Sequence, residues 1–244
     1  MSGRRSLVGL IGANIMSSLS PALHEDAFAA AGIRGHYHLM DLDRLPGRRL
    51  GDLVAAVKAA GFDGVNVTFP CKQAVMPLLD EISADAQQIG AVNSVTIAND
   101  GRTVGYNTDR IGFRRNFEDG LGHACIEGKT AVLVGAGGAG RAVAFALMDL
   151  GAARVCVHDT DTVRAAALAA RHWVADVIYT PIETQLIKAA RAAGARTLTG
   201  GGMCVHQAAE TFRLFTGLHA DVARMHRTFA AALAERDAAQ ASAT

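Results

Sequence analysis

Lys72, Asp109 and a set of serine, threonine and asparagine side chains are the residues of this sequence best suited to chemistry. They stand in three polar clusters: Ser18-Leu-Ser-Pro21, Asn66-Val-Thr-Phe-Pro-Cys-Lys72 and Gly105-Tyr-Asn-Thr-Asp109. Each cluster follows an apolar stretch that reads as a β-strand, and ligands of open α/β sheets bind just beyond the carboxyl ends of strands. Lining one pocket, these hydroxyls, carboxamides, one amine and one carboxylate would suit a small polyhydroxylated acid. Plainer roles stand beside that reading. Ser20, Thr108 and Asp109 are good helix N-caps, Lys72 fits a solvated helix surface, and Asn66 fits a turn.

A second constellation is the glycine run after Thr130–Val134. Those five residues are short, apolar and rich in valine, and they read as a buried parallel strand. Gly135, Gly137 and Gly140 follow at G-x-G-x-x-G spacing, with Gly138 and Ala139 between them. Val143, Leu147 and Leu150 then recur at helical intervals, and Gly151 is a C-terminal stop. At such a strand–turn–helix junction one glycine allows the tight turn. Another lets a pyrophosphate approach the backbone, and the third lets helix and strand pack closely. The helix N-terminus offers unpaired N–H groups to the phosphates. Asp159, at the end of a second strand Arg154–His158, can accept from both ribose hydroxyls and would repel a 2′-phosphate. The pattern therefore predicts dinucleotide binding, with NAD preferred over NADP.

The elements that must position these groups alternate. Strands are expected at 6–11, 36–42, 64–68 and 92–97, with a hairpin to Thr103–Tyr106 turning at Asn99-Asp100-Gly101. Helices are expected at 21–31 with Ser20 as cap, at 49–60, from Pro70, at 83–89 and at 108–117. Strand–helix alternation is the α/β pattern. Half of the 244 residues are hydrophobic and the net charge is +1, with no basic stripe for nucleic acid. No apolar run nears the roughly 18 residues a membrane helix needs. The N-terminus has no signal-peptide core, and Cys71, Cys125, Cys156 and Cys204 form no C-x-x-C. These features predict a reduced, cytoplasmic protein with no structural metal. The nine histidines have no metal-ligand spacing and most of them read as surface or capping residues, and Trp173 reads as core. Cys71 is either a thiol activated at a helix N-terminus or a small packing residue.

Taken in order, Asn66 to Lys72, Gly90-Ala-Val-Asn-Ser94, Gly105 to Asp109, the glycine run, Tyr179-Thr-Pro-Ile-Glu-Thr184 and Gly201-Gly-Met-Cys-Val-His-Gln207 resemble the shikimate dehydrogenases. Asp159, the Pro181 to Thr184 segment and Phe212-Arg-Leu-Phe-Thr-Gly217 look most like the NAD-dependent quinate/shikimate dehydrogenases of actinobacteria. The resemblance implies an α/β substrate domain over 1–120 and a Rossmann-type NAD domain over 121–217, with a cleft between them. Helices at 218–238 would pack back on the first domain. It implies reversible oxidation of a ring hydroxyl, shikimate to 3-dehydroshikimate or quinate to 3-dehydroquinate. Lys72 and Asp109 are then the catalytic pair. Ser18, Ser20, Thr68, Asn93, Tyr179 and Gln207 are the substrate contacts. Gly135, Gly137, Gly138, Ala139, Gly140, Asp159 and Met203 hold NAD, although Met203 reads equally well as core. No partner beyond the small acid is implied, and the chain would be a monomer or homodimer.

That chemistry is coherent. The alcohol proton must leave as hydride departs from the same carbon, and a general base should titrate not far above working pH. A desolvated lysine does so, because burial disfavours the ammonium. A neighbouring aspartate opposes that shift, so the two groups form one coupled unit. Neutral serine donors can hold a ring carboxylate without a paired cation.

The resemblance breaks at one place. The segment 171–179 follows the helix expected at 161–170 directly, yet resembles a strand that comes much later in the family. Roughly 50 residues are missing near Ala170 and Arg171, enough to remove the third and fourth strands of a sheet ordered 3-2-1-4-5-6. The first strand would lose its inner neighbour, and the remaining strand is expected to slide across and pair with it, since unpaired backbone inside a sheet is costly. A non-catalytic or decayed paralogue is the alternative that this shortening raises.

Overall fold

The computed structural model describes residues 4–135, 137–158, 174–179, 181–192 and 194–242. The chain forms two compact units. One comprises 1–108 and 208–244, the other 109–207. Among the described residues no helix is long and apolar enough to cross a membrane.

The first unit is built on a six-stranded mixed sheet whose strands lie in the order Arg34–Asp41, Arg5–Gly12, Gly64–Val67, Ser94–Ile97, Thr103–Tyr106, Glu81–Ile82. Strand β1 (Arg5–Gly12), helix α1 (Ser20–Ala30) and strand β2 (Arg34–Asp41) make a parallel β-α-β unit. Helix α2 (Leu50–Ala59) returns the chain to β3 (Gly64–Val67), which pairs parallel with β1. The hairpin of β5 (Ser94–Ile97) and β6 (Thr103–Tyr106) adds antiparallel strands. The two-residue β4 (Glu81–Ile82) closes the edge before the short helix α3 (Ala84–Ile89), whose Ser83 cap accepts the Ala86 N–H at 3.3 Å. The core lies between sheet and α2, where Leu53, Val54 and Val57 meet Ile11, Val65, Val67 and Val95. This is the period-3.6 face of a helix laid on the period-2 face of strands. Helix α1 is covered by the helix Val222–Ser242 through Arg224, which grips Asp26 with two bonds of 2.7 and 2.8 Å.

The second unit begins with helix α4 (Asp109–Gly120). Strand β7 (Thr130–Val134), helix α5 (Gly138–Asp149) and strand β8 (Arg154–His158) form its β-α-β unit, with β7 and β8 parallel. Strand β9 (Val174–Ala175), helix α6 (Gln185–Ala192) and strand β10 (Thr197–Leu198) form a smaller one. Helix α7 (Gly200–Thr216) begins in this unit and ends in the first, to which α8 (Val222–Ser242) belongs. Phe113, Phe117, Val143, Leu147, Leu150, Leu198 and Met203 share one core. Arg110 ties α4 to α5, with two 2.6 Å bonds to Asp149 and its guanidinium over the Phe145 ring.

Three expectations are corrected. The helix from Pro70 is a series of turns ending in a 3-10 segment, Met76–Leu78. The Lys72 carbonyl, which a helix would use internally, instead accepts the Val92 N–H at 2.8 Å. Strand β7 has the expected bounds but not the expected burial: Val132 and Val134 are 42% and 48% exposed. Among the described residues its only strand partner is β8; Thr130, Val132 and Val134 on one face are exposed, while Ala131 on the other is buried in the core that includes Val143 and Leu147 of α5. Among the described residues the later strand does not pair with β7. It pairs with β10, its own β-α-β neighbour, where chain closure costs least. Most of the described histidines are exposed, as expected, but His24 and His206 are buried. His24 stacks on Tyr37 at 4.8 Å and His206 reaches Asp119 at 3.0 Å. The helix expected at 161–170, the junction at Ala170 and Trp173 lie outside the described residues.

Candidate functional site

The first unit brings several of the singled-out residues together at the carboxyl ends of β1 and β3. Thr68 closes β3: its N–H donates to Ile11 O at 3.0 Å and its carbonyl accepts from Cys71 at 2.7 Å. Lys72 follows within the same turn, half-buried. Two backbone bonds stitch this turn to the start of β5, Val92 N–H to Lys72 O and Val67 N–H to Asn93 O at 2.9 Å. Thr68, Lys72 and Asn93 therefore share one corner of the sheet.

Asn93 is buried and fixed from several sides. Its Nδ2 donates to Thr108 Oγ1 at 3.0 Å, and its Oδ1 accepts the Thr108 N–H at 2.8 Å. Ser94 Oγ lies 2.9 Å from Thr211 Oγ1. Asn66 extends the network. It accepts the Tyr37 hydroxyl at 2.8 Å and donates to Asn93 O and Ser94 Oγ at 3.1 and 3.0 Å. Asn66 thus anchors strands, close to its plainer reading. Thr108 bonds to Asn93 through both its hydroxyl and its N–H. Neither Tyr37 nor Thr211 was singled out, because their partners are remote in sequence and nothing local marks them.

Ser18 and Ser20 face each other at the start of α1. Ser18 Oγ donates to Ser20 Oγ at 3.1 Å and accepts the Ser20 N–H at 3.2 Å. Ser20 is not the cap of α1: the cap position is Leu19, and no side chain bonds there. Cys71 is buried, and burial pushes its thiol above the usual range, so it packs rather than reacts.

The second unit holds the remaining positions. Asp109 is the buried first residue of α4. Met203 is buried and Gln207 half-buried on α7, and Tyr179 is half-buried in the irregular stretch after β9. The glycine run makes the expected turn. Gly135 has φ of 98°, a conformation that favours glycine. A Cβ on Gly140 would collide with the Gly135 carbonyl, so the bare Cα lets α5 close on β7. Gly137 is the cap position of α5, with no side-chain cap and open space where a Cβ would stand. Its neighbours Gly138 and Ala139 open the helix. An uncapped 12-residue helix with an unobstructed backbone at its N-terminus fits a dinucleotide pyrophosphate. Asp159, expected at the ribose, lies outside the described residues.

Comparison with known proteins gives the chain its relatives. Residues 10–95 match the model of the shikimate dehydrogenase substrate binding domain, and residues 200–228 that of the shikimate 5′-dehydrogenase C-terminal domain. The chain is 43% identical to the quinate/shikimate dehydrogenase (NAD(+)) of Corynebacterium efficiens, over 91% of this chain and 97% of that protein. It is 44% identical to the shikimate dehydrogenase (NADP(+)) of Streptomyces avermitilis, over 90% and 93%. Its structure matches that of the Corynebacterium glutamicum quinate dehydrogenase in complex with NAD, with a TM-score of 0.83 and 41% identity over 93% and 100% of the two chains. The alignment with the C. efficiens protein runs over 277 positions, more than the 244 residues of this chain. An alignment starts and ends on matched residues, so the chain lacks an internal stretch that this relative carries. On these identities and coverages, the chain belongs to the shikimate dehydrogenase family.

Proposed function

We propose that this chain is an NAD-dependent shikimate/quinate dehydrogenase. It oxidises the ring 3-hydroxyl of shikimate to the ketone of 3-dehydroshikimate, reversibly, and treats quinate in the same way. The observation that carries this reading is 43% identity to a quinate/shikimate dehydrogenase (NAD(+)) of which the alignment covers 97%. The uncapped, glycine-lined start of α5 supports it. The non-catalytic alternative is not favoured, because both Lys72 and Asp109 are present in the motifs that carry the resemblance.

Lys72 and Asp109 act as one coupled acid–base unit on the ring hydroxyl and take up its proton. Bound NAD supplies the acceptor for the hydride. Gly135, Gly137, Gly138, Ala139 and Gly140 cradle its phosphates through backbone N–H groups, Asp159 binds the adenosine ribose, and Met203 packs beside the nicotinamide. Ser18 and Ser20 hold the ring carboxylate as neutral donors. Their mutual bond shows that the two hydroxyls orient each other. Thr68, Asn93, Tyr179 and Gln207 bind the remaining ring hydroxyls. We place the protein in the cytoplasm, as a monomer or homodimer.

Product identification tests this. Incubated with shikimate and NAD, the protein should yield a ring acid lighter by two hydrogens that reacts as a ketone. Recovery of unchanged shikimate and quinate after long incubation would overturn the proposal.

A further inference from the structure

Helix α4 starts at Asp109 and crosses α7 on two glycines. A Cβ on Gly112 would stand 2.9 Å from Gln207 Cβ and 3.0 Å from both Gln207 N and Met203 O. Two of these neighbours are backbone atoms, which cannot swing aside. Gly112 lies almost one helical turn beyond Asp109, on the same face. A turn further on, the Asn116 carboxamide lies against Gly202, where a Cβ would collide with it, and donates to Thr199 O at 3.2 Å. Asp119 and His206 meet at 3.0 Å near the other end of the contact. Within the crossing the buried Cys204 thiol is pushed up to about 12 by burial, an effect that a hydrogen bond from the Gln207 side chain opposes and the Asp109 carboxylate reinforces. The thiol is therefore neutral at working pH and within the electrostatic reach of Asp109.

We infer that Gly112 is a positioning residue: its bare Cα lets the helix that starts at Asp109 seat directly on the Gln207 turn of α7, which fixes the two side chains relative to each other. This rests on the proposed roles of Asp109 and Gln207. Gly112 does not touch the ring acid. It acts through the spacing of the two helices.

The test is steady-state kinetics of the full-length Gly112→Ala variant beside Gly120→Ala. Gly120 lies on the same helix, but a Cβ there would meet only the flexible end of Leu198. Gly112→Ala should lose about 10- to 100-fold in kcat/KM for shikimate, the scale of an ångström-sized displacement of catalytic groups. The loss should fall on both KM and kcat, and affinity for NAD should stay within about twofold. Gly120→Ala should lower Tm with both kinetic constants nearly unchanged. If Gly112→Ala lowers only Tm, as Gly120→Ala does, the inference is wrong. Should Gly112→Ala not fold, Asn116→Ala decides in its place. It loosens the crossing without a clash, and should raise KM for shikimate several-fold; unchanged kinetics would overturn the inference. Asp109→Asn separates this from the underlying reading: if that variant is fully active, the role given to Asp109 fails whatever Gly112 does.

Discussion

Ile15 links Asp41 to the serine pair. Its N–H donates to the Asp41 carboxylate at 3.0 Å, and its carbonyl accepts the Ser18 N–H at 2.9 Å. Asp41 also accepts from Asn14 at 3.0 Å and from Asp43 at 3.1 Å. One carboxylate at the end of β2 thus folds the loop that presents Ser18 and Ser20. Asp41→Asn keeps the shape but turns one oxygen into a donor facing N–H groups, so the loop loosens. KM for the ring acid should rise several-fold, with kcat changed by less than about twofold, as befits a displaced binding loop. A kcat loss larger than the KM change would place Asp41 elsewhere in the mechanism.

His24 sets an acid limit on stability. Its ring is enclosed by Phe28, Tyr37 and Phe215, and burial lowers its pKa from 6.5 to about 3. The unfolded chain therefore binds a proton below about 6.5 that the folded chain refuses. Its contribution is intact above that pH and is lost progressively as the pH falls toward 3. Between about pH 7 and 5, before most carboxylates titrate, Tm should fall for the wild type and fall less for His24→Leu. Equal slopes for the two proteins would show that His24 is protonated without cost.

Lys72→Ala should lower turnover by roughly 10²- to 10⁴-fold, the usual contribution of a general acid–base group. The binding of NAD, measured by calorimetry, should survive, since the glycine run belongs to a different compact unit from Lys72. A variant that keeps most of its turnover would remove Lys72 from the catalytic pair.

Ser20 bears on the choice between ring acids. Quinate carries a hydroxyl on the carbon that bears the carboxylate, whereas shikimate is flat and unsaturated there. Serine at 20 leaves its hydroxyl free of a β-methyl, and this favours shikimate. Ser20→Thr should shift the ratio of kcat/KM values toward quinate, by no more than the roughly 1–3 kcal/mol that one methyl group can supply. An unchanged ratio, with Ser18→Ala leaving both affinities intact, would mean that neither serine touches the acid.

Local signals made much of this protein legible. Valine-rich Thr130–Val134, followed by the glycine run, has the same bounds in sequence and structure because turn chemistry and periodicity are both short-range. The hairpin at Asn99 to Gly101 was legible for the same reason. What stayed hidden depends on distant partners. The helix expected from Pro70 fails because Val92 claims the Lys72 carbonyl. Strand β4 is two residues long and exists only as an addition to β6. The Tyr37, Asn66 and Thr211 network joins residues up to 145 positions apart. Asp41 reads as an ordinary surface aspartate until the loop above it is seen. The exposure of Val132 and Val134 depends on what packs across that face, which no pattern within the strand records.

Dehydrogenase activity is read from the initial rate of absorbance increase at the reduced-nicotinamide band, with shikimate or quinate and with NAD or NADP. Both acids should reduce NAD. Because Asp159 would repel a 2′-phosphate, kcat/KM should be at least about tenfold lower with NADP, a difference of about 1.4 kcal/mol. Equal rates with both cofactors would contradict the role of Asp159, and no reduction with either acid under either cofactor would contradict the dehydrogenase itself.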